Sequence, residues 1–222
     1  MSEFASRRMM MVDTQVRPSD VTKFPIIDAM LQVPREVYVP RDKQEAAYIG
    51  ENVEIAPGRV VLEPRTLAKM LDALDIQPDE MVLDLGCGLG YSAAVIARLA
   101  DTVVAVEEDA ALAAEAQRVL SDEGVDNAVV VAGPLAAGAA KHGPYDVIMV
   151  QGGIETLPEA LAAQLKDGGR IAAVFMEGGL GTVKTGLKQD GLKQDGRIVW
   201  RFAFNATAPV IAGFERARGF VL

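Results

Sequence analysis

A chain of 222 residues with 31 acidic against 22 basic side chains carries a formal charge of −9, which argues against a phosphate backbone as partner or substrate. Half of the residues are hydrophobic but only 5% are aromatic, so the expected core is aliphatic and large enough for one α/β domain with or without a small appendage. Cys87 is the only cysteine and His142 the only histidine, which leaves no partner for an intramolecular disulfide and no cluster for a zinc site, and points to a reducing, cytoplasmic setting.

The opening stretch 1–13 contains Arg7 and Arg8, but no apolar run of signal-peptide length follows. No segment approaches the ~18 apolar residues of a membrane span, so a soluble protein is expected. Met9, Met10 and Met11 read as part of an ordered arm packed on its own domain, with a hydrophobic partner surface as the alternative. Pro25 opens a helix over 26–32, where Ile26, Ile27, Met30 and Leu31 form one apolar stripe. Val33 before Pro34 ends it, because the residue preceding a proline avoids the helical basin. A second short helix is expected over 41–48. After a turn at Pro57-Gly58, Pro64 suits the first position of a helix carrying Leu67, Met70, Leu71 and Leu74 at i, i+3, i+4 and i+7. Residues 1–80 thus read as a helical preface packed on a main domain, 81–222.

From Met81 the pattern alternates strand and helix. Strands are expected at 81–85, 102–107, 128–132, 146–150 and 170–175, mostly as continuous apolar runs of the kind that parallel strands covered on both faces require. Helices fit 91–99, 110–123 and 158–165, the last ended by Lys166-Asp167-Gly168-Gly169 with a left-handed glycine. Two further strands, 181–187 and 197–205, suggest a closing antiparallel hairpin. Between them the pentapeptide Gly-Leu-Lys-Gln-Asp is repeated in tandem over 186–195, which reads as a lengthened surface turn. The tail 206–222 reads as coil. The expected fold is α/β: a doubly wound, mostly parallel, seven-stranded Rossmann-like sheet behind an N-terminal helical preface.

The organising stretch is Met81-Val82-Leu83-Asp84-Leu85-Gly86-Cys87-Gly88-Leu89-Gly90-Tyr91. It reads as a strand, a tight glycine turn and a helix N-terminus whose first N–H groups have no helical partner. The dinucleotide fingerprint G-x-G-x-x-G would put its third glycine at position 91, where Tyr91 stands. A nicotinamide-dependent dehydrogenase is therefore disfavoured. The run Thr102-Val103-Val104-Ala105-Val106 ends in Glu107 and Glu108, where an acid can accept hydrogen bonds from ribose hydroxyls. A glycine-rich turn that merely packs strand on helix is the plain alternative.

The spacing Asp-x-Gly-x-Gly-x-Gly resembles the first motif of class I S-adenosyl-L-methionine-dependent methyltransferases. From about Ile26 to Phe175 the chain resembles the protein-L-isoaspartate O-methyltransferase family. The most specific part is Ala29-Met30-Leu31-Gln32-Val33-Pro34-Arg35-Glu36-Val37-Tyr38-Val39-Pro40, with Ala47-Tyr48 after it. Tyr145-Asp146-Val147-Ile148-Met149-Val150, Leu157-Pro158-Glu159-Ala160-Leu161 and Leu165-Lys166-Asp167-Gly168-Gly169-Arg170 also follow the family pattern. The resemblance implies S-adenosyl-L-methionine as cofactor and a protein, peptide or small-molecule methyl acceptor. It assigns Gly86, Cys87, Gly88 and Gly90 to the methionine part of the cofactor, Asp84 to ordering the loop and to an indirect contact with the cofactor's amino group, and Glu107 to the ribose. Glu108 and Gln151 are assigned to the adenine side and the methyl-donor face.

Departures from the family pattern bear on the acceptor. The family carries Gly-Gln-Thr-Ile-Ser-Gln-Pro or a close variant before the pre-sheet helix, and its hydroxyl residue helps hold the substrate carboxylate. Here the segment is Gly58-Arg59-Val60-Val61-Leu62-Glu63-Pro64. Leu62 cannot donate a hydrogen bond, and Glu63 would repel a carboxylate if it faced one. The family's Gly-Asp-Gly appears as Ala132-Gly133-Pro134, and a threonine-alanine stretch as Gln151-Gly152-Gly153. A carboxylate nucleophile is already ionised near neutral pH, so the absence of a histidine base is no objection to carboxyl methylation. The resemblance thus implies methylation of an isoaspartyl or diverged carboxyl group. The alternative is a catalytically degenerate cofactor-binding protein with an interaction or regulatory role. Oligomeric state is left open.

Overall fold

In a computed structural model, residues 3–189 and 197–217 are described. Seven strands form one sheet, in the order β5-β4-β3-β6-β7-β8-β9. These are β3 (Met81–Leu85), β4 (Thr102–Glu107), β5 (Ala128–Ala132), β6 (Tyr145–Ile154), β7 (Leu165–Glu177), β8 (Leu180–Lys188) and β9 (Ile198–Asn205). The first five run parallel; β8 and β9 close the edge as an antiparallel meander. The strands fall where the apolar runs predict them, with β6 and β7 longer at both ends. The tandem repeat starts within β8, and its residues 190–195 lie outside the described ones.

Both faces of the sheet are covered, which explains why these strands lack a polar alternation. Val82, Val103, Ala105, Val147 and Met149 face one core together with Met30, Leu67, Leu71 and Tyr91. Their neighbours Leu83, Leu85, Val104, Val106, Ile148 and Val150 face the other, with Leu161 and Phe214. That alternation is the two-residue period of an extended strand.

The preface differs in part from its expectation. Helices α1 (Glu3–Met11), α2 (Phe24–Gln32) and α3 (Pro64–Leu74) are present, but 41–46 form a 3₁₀ helix, Arg41–Ala46, in place of a second α-helix. A small antiparallel hairpin, β1 (Val53–Ala56) with β2 (Arg59–Val61), also stands where only the Pro57-Gly58 turn was expected. These strands are too short for a periodicity to register. The arm does pack on its own domain: Arg8 donates to the Leu31 and Gln32 carbonyls and to the Tyr48 hydroxyl, and Met11 is buried while Met9 and Met10 are exposed.

Helix α3 is joined to the sheet at its C-terminal end. Arg170 of β7 donates from Nε to the Leu74 carbonyl at 2.6 Å and from Nη2 to that of Asp75 at 3.0 Å. Its fork also pairs with both oxygens of Glu80, at 2.8 and 2.6 Å. Carbonyls that a helix end leaves without a partner are thereby satisfied from the neighbouring strand.

Helix α4 (Tyr91–Ile96) follows β3 and helix α5 (Ala110–Asp122) follows β4; α6 (Glu159–Gln164) lies between β6 and β7. β3 sits at the centre with β4 on one side and β6 on the other. The crevice beyond their carboxyl ends, where the winding reverses, is the place such sheets bind ligands.

Candidate functional site

Three glycines in the left-handed region carry the loop from β3 into α4: Gly86 at φ +80°, Gly88 at +58° and Gly90 at +98°. A side chain would strain each position. The amides of Gly86 and Cys87 both donate to the Val106 carbonyl, at 2.8 and 3.3 Å, which fastens the loop to the end of β4.

Asp84, wholly buried near the end of β3, accepts from Ser92 Oγ at 2.6 Å and from Gln151 Nε2 at 2.7 Å. Burial pushes its pKa up from 3.8 to about 6, against the pull of those two hydrogen bonds. Asp84 thus ties the first turn of α4 to β6. Gln151 is turned toward Asp84 and is buried. The Cys87 thiol is buried, and burial first and the nearby carboxylates of Asp84 and Glu107 second raise its pKa, which disfavours the reactive thiolate. Glu108 is exposed.

Glu107 is also wholly buried, and its carboxylate is fully engaged. Arg59 forks onto it, Nη1 to Oε1 at 2.6 Å and Nη2 to Oε2 at 2.7 Å. The Gly88 amide donates to Oε2 at 2.8 Å and the Asp109 amide to Oε1 at 3.2 Å. Arg59 comes from β2, and the β1–β2 hairpin lies over the glycine loop: a Cβ built on Gly88 would fall 2.3 Å from Ile55 Cδ1, and one on Gly86 3.0 Å from Arg59 Nη2. The three left-handed glycines suit a ligand lying against bare backbone. The residues above them do not fit an adenosyl group in this conformation, because Ile55 and Arg59 fill that space and Glu107 has no free acceptor.

Leu62 is buried, and its carbonyl accepts from Arg35 Nη2 at 2.8 Å. Glu63 accepts from Thr66 Oγ1 at 2.6 Å and borders a cleft of about 720 Å³ lined by Asn52, Thr182, Asn205 and Thr207. His142 is exposed. Arg59 and Ile55 were missed by sequence reasoning. The available signal was a charged residue opening an otherwise apolar strand, at the position where the resembled family has glutamine.

A doubly wound sheet with this loop at its switch point defines a class I methyltransferase. The family model described as "Protein-L-isoaspartate(D-aspartate) O-methyltransferase (PCMT)" matches residues 7–199. A protein-L-isoaspartate O-methyltransferase of Syntrophus aciditrophicus is 37% identical over 171 residues, covering 77% of this chain and 78% of that one. One from Koribacter versatilis is 37% identical over 168 residues, 76% of each chain. A solved protein-L-isoaspartate O-methyltransferase superposes with a TM-score of 0.79 at 24% identity, over 93% of this chain and 66% of its own length. A Plasmodium falciparum protein of that description, solved with S-adenosyl-L-homocysteine, gives 0.76 at 20% identity, over 95% of this chain and 98% of its own. The chain belongs to the protein-L-isoaspartate O-methyltransferase family.

Proposed function

We propose that this protein transfers a methyl group from S-adenosyl-L-methionine to a carboxylate of a protein or peptide, isoaspartyl residues being the first acceptor class to test. The observation that carries this reading is the left-handed glycine loop with the buried carboxylates of Asp84 and Glu107 beside it, in a chain 37% identical to named relatives over most of its length. An ionised carboxylate needs no base, which accords with a site whose described residues bring no histidine to the loop. Gly86, Cys87, Gly88 and Gly90 are assigned to the cofactor, with Asp84 as the residue that holds their turn and Glu107 as the ribose acceptor. Gln151 is reassigned from the methyl-donor face to support of Asp84, and Glu108 remains a candidate for the adenine side.

The 1–80 preface and the 81–222 main domain are read as one functional unit, since residues of both share a single core. No described helix is long and apolar enough to cross a membrane; a cytoplasmic location belongs to the same proposal. The test is transfer of labelled methyl to an isoaspartyl peptide with the normal aspartyl peptide beside it. Labelling of the isoaspartyl peptide alone is the expected result. Cofactor binding with no labelling of either peptide would remove isoaspartate as the acceptor.

A further inference from the structure

We propose that Arg59 is an internal competitor for the cofactor's ribose: the β1–β2 hairpin closes the adenosyl site, and the cofactor enters only when the hairpin lifts and the guanidinium leaves Glu107. The proposal rests on the methyltransferase reading above and adds a gate to it.

A carboxylate offers about four acceptor positions. On Glu107 all are taken, two by the Arg59 fork and two by the Gly88 and Asp109 amides. A ribose diol needs two of them. The two amides belong to the loop and to the turn after β4, so they stay wherever the loop stays. The guanidinium arrives on a separate element and is the only partner that can be withdrawn. A planar fork on a carboxylate is also the geometry that a vicinal diol would copy, two donors side by side.

The hairpin forms its own two-stranded sheet outside the seven-stranded one, and Val53, Val60 and Val61 anchor it in the core, so the movement required is that of its outer part, from Glu54 to Arg59. Its turn at Gly58, φ +70°, has no atom within 4 Å of a built Cβ and so stands in open space. At its base, Asn52 Nδ2 donates to the Thr207 carbonyl at 2.8 Å in an exposed position. The arginine is itself incompletely satisfied, because Nε is buried with no hydrogen-bond partner among the described residues. Ile55 travels with it: lifting the hairpin uncovers Gly88 and frees Glu107 in one movement. When the binding-competent state is a minor one, apparent affinity falls by its population.

The test is calorimetric titration of the full chain with S-adenosyl-L-homocysteine, together with hydrogen exchange of the amides over 53–61. Arg59→Gln keeps a polar side chain but cannot fork onto the carboxylate. It is expected to bind the ligand about tenfold more tightly than the native chain, or better, and to exchange its hairpin amides faster without ligand. In the native chain, saturating ligand is expected to speed the same amides. Ile55→Ala leaves the ion pair intact and only thins the cover over Gly88; it too is expected to tighten binding, and it carries the test if Arg59→Gln does not fold. Equal affinities for the native chain and both variants would overturn the gate and leave the methyltransferase reading standing. So would ligand that slows the hairpin amides of the native chain. Failure of all three proteins to bind would overturn the cofactor reading itself, and the gate with it.

Discussion

The guanidinium of Arg35 lies over the ring of Tyr91, 4.7 Å from its centroid, with no exposure to solvent. Nε donates to the Ala47 carbonyl at 2.6 Å and Nη2 to that of Leu62 at 2.8 Å. One cation thus ties three pieces of the preface to the residue that begins α4, directly after the glycine loop. Burial lowers the pKa of Arg35, and stacking on Tyr91 works against that cost. The preface is part of the site's scaffold, because it fixes both the helix that follows the loop and the Leu62 backbone beside β2.

Replacing that cation should loosen both ends. Arg35→Met keeps most of the stem volume but strands the Ala47 and Leu62 carbonyls, each at a cost of about 1–3 kcal/mol, partly offset by relief of a buried charge. The expected net loss is about 2–4 kcal/mol, read from urea unfolding. Arg35→Lys should fare no better, since a single ammonium cannot reproduce the fork over the ring. Native-like stability in either variant would show that the two hydrogen bonds contribute nothing net.

The Arg59–Glu107 pair makes a separate prediction about coupling. Breaking a buried ion pair from one side leaves an uncompensated charge and costs about 3–5 kcal/mol, so Arg59→Met should destabilise the ligand-free chain by that order. Adding Glu107→Gln removes the stranded charge while keeping an acceptor for a loop amide. The double variant is expected to recover about 1–3 kcal/mol of the loss. Additive losses in a double-mutant cycle would mean that the two side chains do not depend on each other.

Much of the sheet was legible because long apolar runs such as 81–85 and 102–107 are buried on both faces and answer to no other pattern. The loop was legible through Gly86, Gly88 and Gly90, whose left-handed backbone almost demands glycine. The partner of Glu107 was not. Glu107 was placed correctly at the end of β4, but an acid at that point carries no mark of what it faces. The competing arginine lies 48 positions earlier, in a three-residue strand too short for a periodic signal. Likewise the tie of Gln151 to Asp84 spans 67 positions and depends on β3 and β6 being neighbours, which no local pattern shows.

Cys87 should be chemically silent in the native protein. Its thiol is buried and held above its ordinary pKa by burial first and by the Asp84 and Glu107 carboxylates second, so little thiolate forms near neutrality. Reaction with a disulfide reagent at pH 8 is expected to be about a hundredfold slower than in the denatured chain, one thiol then appearing on unfolding. Rapid native labelling would mean that the loop opens far more often than its fastening to Val106 implies.

Asp84 gives the pH dependence. Its pKa is about 6 in the folded protein against an ordinary 3.8, so the native state holds the proton more tightly than the unfolded chain. Its contribution is therefore most favourable below the unfolded value and is lost as pH rises from near 4 to about 6, with no further change above that. A shift of about two units, which already includes the opposing hydrogen bonds from Ser92 and Gln151, corresponds to about 3 kcal/mol at most across that window. Asp84→Asn cannot titrate. The stability difference, native chain minus variant, should fall steadily between about pH 4 and 6 and stay level up to about pH 8, because other groups cancel in the subtraction. A difference that is flat across pH 4–6 would show that Asp84 is ionised throughout, its two hydrogen bonds outweighing burial, and a difference that rises with pH would reverse the sign assigned to it.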